Sequence, residues 1–345
     1  MNDLLLNVPF GVLTILGVTF DYTLRNVLLG SAILGIVGGV IGCLAVLRRQ
    51  SLLSDAVAHA ALPGICLAFL VTGVRSTSVL MIGAAITGLL GAMLVLGITR
   101  GTRLKEDAAL GIVLSTFFGF GTVLLTQISR SGNADQAGLS RFLFGQAASL
   151  VAGDVASMAI LGGVTLGIVV MAFKELKLTT FDPAFAASLG FPVTGLSVLL
   201  TILIVAAIVI GLQSVGVILM VTVLVAPALA ARQWTQRLGT MMALGAVFGG
   251  VAGMSGALLS ASISRLPTGP TIVLIASAIV IVSLLFAPER GLVWGALSGR
   301  RAGRAMRRER LAGPTGVPVA TATDTAASHG QVVVATSRHA GGESR

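Results

Sequence analysis

Asp55 and His59 stand four residues apart in the run Ser54-Asp55-Ala56-Val57-Ala58-His59-Ala60-Ala61-Leu62-Pro63-Gly64. Residues i and i+4 lie about one turn apart on the same face of an α-helix, so a carboxylate and an imidazole in this pattern converge on one point. That point suits a divalent transition metal. Imidazole favours Zn, Cu, Fe or Ni and carboxylate favours harder ions such as Mn, so the mixed pair fits the borderline first-row ions better than Ca or Mg. A plainer role fits the same residues: Asp55 caps a helix that starts after Ser54, and His59 bonds to it locally. Two ligands fall short of the roughly four to six that a divalent ion takes. Water, backbone or a second copy of the chain must supply the rest, and two-fold symmetry would bring two Asp and two His together.

The surroundings of this pair are apolar. Of 345 residues, 10% are Asp, Glu, Lys or Arg and 55% are hydrophobic, against roughly 25% charged in an ordinary soluble domain. That composition excludes a soluble enzyme. Runs of about twenty residues with few or no charges recur from Leu24 to Ala287, each long enough to cross a hydrocarbon core of about 30 Å as a helix. The fold class is therefore all-α, a polytopic membrane protein with eight or nine transmembrane helices. The runs are Leu24 to Leu47, Asp55 to Thr72, Thr77 to Thr99, Asp107 to Ile128, Leu150 to Phe173, Val193 to Leu212, Ser214 to Ala231, Arg237 to Ser262 and Thr268 to Ala287. The run containing Pro227 is the one that leaves the count open by one.

A charge at membrane depth costs on the order of 2.5–3.5 kcal/mol, which makes an ionisable residue inside a span a functional candidate. Glu106, Asp107 and Asp154 sit at helix starts, where acids are welcome and water is close. Asp55 and His59 have no basic residue between them and Arg75, and His59 is the only histidine between Leu24 and Ala287. Cys43 and Cys66 form no CxxC pattern and read as small core residues. Glycine, 44 residues, recurs at four-residue spacing in Gly35/Gly39, Gly38/Gly42, Gly163/Gly167, Gly245/Gly249 and Gly249/Gly253. Such pairs let helix backbones approach in lipid, and packing within one bundle accounts for them.

The net charge of +10 reports topology rather than a nucleic-acid partner. Arg48/Arg49, Arg100/Arg103/Lys105, Lys174/Lys177, Arg232/Arg237 and the Arg300 to Arg310 cluster occupy alternate breaks, which places those breaks and the C-terminus in the cytoplasm if all nine runs cross. Residues 1–23 read as an interfacial segment on the outer face and residues 24–287 as the membrane domain. The tail, 288–345, is basic, with nine arginines against four acids. From Gly313 on it is too poor in bulky apolar residues to fold on its own. Its arginines suit anionic membrane lipid, and His329 and His339 read as solvated.

A second feature lies in one of the cytoplasmic breaks, from Phe181 to Pro192. Asp182 suits an N-cap, Pro183 the first helical position, Gly190 the position past the end, and Pro192 blocks continuation. A two-turn helix is written there, and Phe185 and Leu189 give it a short apolar ridge for a cytoplasmic partner or for the bilayer surface. The chain has no GxxxxGK[ST] pattern and no Gly-Lys pair, so ATP-driven work needs a separate ATPase.

From Val46 to Gly64 the sequence resembles the permease subunits of the manganese/zinc/iron ABC importers, the ABC-3 family. Phe142-Leu143-Phe144-Gly145, the 181–190 helix, Val215 to Met220 leading to Ala226-Pro227-Ala228, and Pro267-Thr268-Gly269-Pro270 agree in order, over about residues 24–287. The resemblance implies a multi-pass subunit in the bacterial plasma membrane, working as two permease copies with two cytoplasmic ATP-binding subunits and an extracytoplasmic metal-binding protein. It implies no permanently bound cofactor, a transported Mn, Zn or Fe(II) ion held by Asp55 and His59, and an ATPase-coupling helix formed by Phe181, Asp182, Pro183, Phe185, Leu189 and Gly190. Alternating access is the implied mechanism. The alternatives are a permease for a metal chelate of siderophore or cobalamin type, an ATPase-independent secondary carrier, and a non-transporting membrane scaffold.

Overall fold

The computed structural model describes residues 22–73, 76–130, 145, 150–212, 214–263 and 266–287. Over these residues the chain is helical: α1 Tyr22–Leu47, α2 Ser51–Thr72, α3 Thr77–Gly101, α4 Glu106–Arg130, α5 Ala152–Met171, α6 Phe173–Phe181, α7 Pro183–Ser188, α8 Val193–Leu212, α9 Val217–Trp234, α10 Leu238–Ser262 and α11 Thr268–Phe286. Among the described residues nine helices, all except α6 and α7, are long and apolar enough to cross a membrane. The run through Pro227 is a full span: α9 is 18 residues long, about 27 Å at 1.5 Å per residue.

The expected outer segment lies outside the described residues up to position 21, and the tail from 288 lies wholly outside them, with the Arg300 to Arg310 cluster, His329 and His339. So do Phe142 to Phe144, Arg75, Arg141, Gln213 and Arg265. Two boundaries differ from the sequence expectation in ways that matter. The second span starts at Ser51 rather than at Asp55. The break holding Lys174 and Lys177 is itself a nine-residue helix, α6, with Leu176 and Thr179 buried.

The core runs along α1, α8 and α9. α1 packs most extensively on α10 and then on α9, while α2, α3 and α4 form a second group that meets α8 through α2 and α3 and meets α9 through α2. Close backbone approach explains the first contact. A Cβ on Gly35 would run into the Gly249 carbonyl, and one on Gly39 into the Gly245 carbonyl. Gly38 and Gly42 face Val223 and Leu224 of α9, and Gly253 faces the Ser31 carbonyl. Four of the five glycine pairs thus serve packing inside one chain, as small residues do where no hydrophobic effect drives helices together. Gly163 and Gly167 on α5 have open space where a Cβ would stand. Cys43 and Cys66 are buried and unbridged, their thiols donating to the Met241 and Gly121 carbonyls.

Candidate functional site

α2 carries Asp55 and His59 on one face. His59 Nε2 stands 3.6 Å from Asp55 Oδ1, beyond a direct hydrogen bond. Two ligands each about 2.1 Å from one tetrahedral ion are about 3.4 Å apart, so the pair has the spacing of two ligands to one ion. The capping alternative fails on the helix boundary. α2 begins at Ser51 with Gln50 at the N-cap and no side-chain cap bond, which leaves Asp55 in the second turn with its carboxylate free of a capping role.

The neighbours of the pair are small and apolar. Ser54, Ala56, Val57, Ala58 and Ala60 are buried against the other helices, whereas the His59 side chain is 17% and the Asp55 side chain 37% exposed. The two side chains mark an open stripe on an otherwise covered turn. Phe118 of α4 meets the imidazole edge-on, ring centroids 4.8 Å apart at 83°, and fixes the plane of the ring. His59 Nδ1 is buried without a hydrogen-bond partner. Pro63 sits inside α2 and brings no amide N–H, so the His59 carbonyl lacks its helical donor. Among the described residues no group of three or more His, Cys, Asp and Glu side chains lies together.

Other acids have structural work. Asp154 is buried and accepts a hydrogen bond from the Val151 amide at 3.2 Å, closing the first turn of α5. Glu106 and Asp107 occupy the first turn of α4, where the helix dipole favours them.

The second sequence feature folds as its residues dictate. Asp182 Oδ1 accepts from the Phe185 amide at 2.9 Å, and Pro183 takes the first position of α7. Gly190, at φ +84, ends the helix in the left-handed conformation. Its amide donates to the Ala187 carbonyl and the Phe191 amide to the Ala186 carbonyl, the paired bonds that close a helix at such a glycine. Ala186 is buried, while Phe181, Phe185 and Leu189 are 58%, 51% and 56% exposed. Five of the six predicted residues, Asp182 to Gly190, therefore come together as one capped helix with an uncovered apolar ridge, and Phe181 ends α6 just before it. They form a group apart from Asp55 and His59. Sequence reasoning missed Phe118, since nothing in a phenylalanine 59 positions away signals contact with His59, and it missed α6, whose lysines masked an amphipathic turn.

The sequence profile described as the ABC 3 transport family matches residues 20–287. The zinc transport system membrane protein TroC of Treponema pallidum is 50% identical over 282 residues, 81% of this chain and 94% of that protein. The manganese transport system membrane protein MntC of Bacillus subtilis is 49% identical over 285 residues, 83% of this chain and 66% of that protein. Among solved structures, PsaBC from Streptococcus pneumoniae in complex with Fab superposes with a TM-score of 0.70 at 32% identity, over 79% of this chain and 94% of that one.

Proposed function

Because the chain belongs to the ABC 3 transport family, it is the membrane permease of a manganese or zinc ABC import system, and we propose that Asp55 and His59 are the ligands that carry its ion through the membrane. Hydrolysis of ATP belongs to a separate subunit of that system. The observation that carries the reading is the 3.6 Å approach of Nε2 to Oδ1 on an open stripe of a helix that is buried around it. Manganese and zinc are the ions named for the two half-identical relatives. Fe(II), which accepts the same donors, is the third candidate.

One chain offers two side-chain ligands, and a second copy of the permease completes the set. The open stripe of α2 supports this, as does α4, whose Gly111, Ser115 and Gly119 are exposed beside the Phe118 turn and are of the kind that make helix contacts in lipid. Basic residues gather at Arg48/Arg49, Arg100/Arg103/Lys105, Lys174/Lys177 and Arg232/Arg237, each between or beside spans. This pattern supports a multi-pass protein of the bacterial plasma membrane with those turns and the C-terminus in the cytoplasm. α7 then faces the ATP-binding subunit, and the ridge of Phe185 and Leu189, with Phe181 at the end of α6 beside it, is the docking element. The opposite mouth receives the ion from an extracytoplasmic metal-binding protein. ATP binding and release below alternately open the paired site outward and inward. The tail arginines hold anionic lipid.

A permease for a bulky chelate has no use for an ion-ligand pair, and a secondary carrier has no use for a capped cytoplasmic helix with an apolar ridge. The test is the cellular content of Mn, Zn and Fe in a strain lacking the permease, with and without the wild-type gene. Restoration of Mn or Zn supports the reading, and restoration of none of the three overturns it.

A further inference from the structure

Arg48 reads in sequence as one more topology charge, yet its side chain is half-buried and its guanidinium is held by three hydroxyls. Nη2 donates to Thr179 Oγ1 at 2.7 Å, Nη1 to Ser197 Oγ at 3.2 Å and Nε to Thr180 Oγ1 at 3.3 Å. Thr179 and Thr180 lie in the last turn of α6 and Ser197 in the second turn of α8, so one side chain holds both helices that flank α7. Each threonine hydroxyl spends its own proton on a backbone carbonyl of α6, which leaves its oxygen turned to accept from the arginine.

The other end of Arg48 is the turn into α2. Arg48, Arg49 and Gln50 are the only residues between α1 and α2, and the turn is wound tightly by Arg49 N–H to Val46 O and Gln50 N–H to Ala45 O. Among the described residues Arg49, at φ +59, is the only non-glycine in the left-handed region. Such a short, strained turn has no slack to absorb a pull on Arg48. Asp55 follows four residues into α2, about 6 Å along its axis.

The arrangement leaves charge unpaired. Among the described residues no carboxylate pairs with Arg48, and burial pushes its pKa down from the ordinary arginine value. Glu175 Oε2, one turn before Thr179 on the same face of α6, is buried without a partner, as are Gln50 Oε1 and Ser54 Oγ along the same route. Buried polar atoms are normally satisfied, so a cation held by neutral hydroxyls and a carboxylate oxygen buried without a partner one turn away on α6 are complementary.

Building on the import reading above, we propose that Arg48 is a positioning residue that ties movement of α7 to the Asp55/His59 end of α2, and that Glu175 is the partner it takes when the hydroxyl contacts open. Arginine suits this role because its planar fork engages several acceptors in fixed geometry and remains charged when buried.

The test uses the permease assembled with its ATPase and metal-binding protein in proteoliposomes. For Arg48→Ala, Mn(II) or Zn(II) imported per ATP hydrolysed is expected to fall at least tenfold with hydrolysis within about twofold of wild type. Arg48→Lys recovers part of the ratio. Arg48→Glu with Glu175→Arg exceeds either single variant at least threefold. Amide hydrogen exchange on the same complex, with and without ATP and vanadate, gives a readout that needs no transport. Nucleotide is expected to change exchange in both 183–188 and 50–59 in wild type, and only in 183–188 in Arg48→Ala. A wild-type import ratio in Arg48→Ala, or an unchanged 50–59 response, overturns the link. A double variant no better than the singles removes Glu175 from it. A wild-type complex that imports neither ion contradicts the import reading, while the exchange experiment still decides on Arg48.

Discussion

Phe118 of α4 meets His59 of α2 edge-on at 4.8 Å, and this contact orients the imidazole so that Nε2 faces Oδ1 of Asp55. A ring free to turn would share its lone pair with many directions and hold an ion poorly. The contact therefore links packing between two spans to the geometry of the proposed ion site, which Phe118 itself does not enter.

Removing that support is expected to weaken ion capture without abolishing it. An edge-to-face aromatic pair is worth about 0.5–1.5 kcal/mol, so Phe118→Ala should raise the apparent KM for Mn or Zn uptake roughly two- to tenfold. Phe118→Tyr or Phe118→Trp should remain near wild type. Initial uptake rates across a range of ion concentrations check this, and an unchanged KM in Phe118→Ala would remove the orienting role.

The contact between α1 and α10 tolerates no side chain at its crossing points. Gly249→Val would push against the Gly35 carbonyl, and overpacking of a filled interface costs about 1–3 kcal/mol. A lowered unfolding temperature of the detergent-solubilised protein is the expected result. Gly163→Val on α5, with nothing within 4 Å, should leave that temperature unchanged, and an equal loss in both variants would refute the packing account.

α7 is six residues long, too short to persist without its caps. Asp182→Ala removes the acceptor for the Phe185 amide at a cost of about 1 kcal/mol, whereas Asp182→Asn or Asp182→Ser can still cap. Transport is expected to fall roughly fivefold in the alanine variant, and to stay near wild type in the other two. Equal loss in all three would point to the charge of Asp182 rather than to the cap.

Phe185 and Leu189 present about half of their surface each to the outside. Phe185→Ser with Leu189→Ser should leave the permease folded, by its unfolding temperature, and sharply reduce the ATP-binding subunit that co-purifies with it. Full recovery of the subunit would place the docking surface elsewhere.

The architecture was readable from composition because a membrane imposes a length. About twenty apolar residues are needed to cross, and the runs from Leu24 to Ala287 meet that need one after another. Pro227 made one span look doubtful, but α9 runs straight through it; a proline costs a single hydrogen bond that neighbouring groups in a bundle can replace. The short helix at 183–188 was equally legible, since Asp, Pro and Gly each carry a backbone preference strong enough to mark a start or a stop.

Local signals also misled. Ser54-Asp55 looks like a helix start, yet the α1 to α2 turn is closed five residues before Ser54 by Arg49 in the left-handed region, a conformation that its sequence does not advertise. α6 was hidden by Lys174 and Lys177, which read as a break while Leu176 and Thr179 turn inward. Contacts between distant positions, such as His59 with Phe118 or Arg48 with Thr179 and Ser197, depend on how spans are arranged and leave no trace in spacing.

The claim that Asp55 and His59 together hold the transported ion is tested most directly by uptake of Mn and Zn into proteoliposomes containing the permease, its ATPase and its metal-binding protein. Wild type is compared with Asp55→Asn and His59→Gln, substitutions that keep size but change the donor. Loss of an outer partner of a metal ligand typically costs 10–100-fold, so loss of a ligand itself should lower uptake by at least about a hundredfold in each variant, with normal insertion and ATPase binding. Uptake at the wild-type rate in both variants would contradict the account and send the search for the ion's path to other residues.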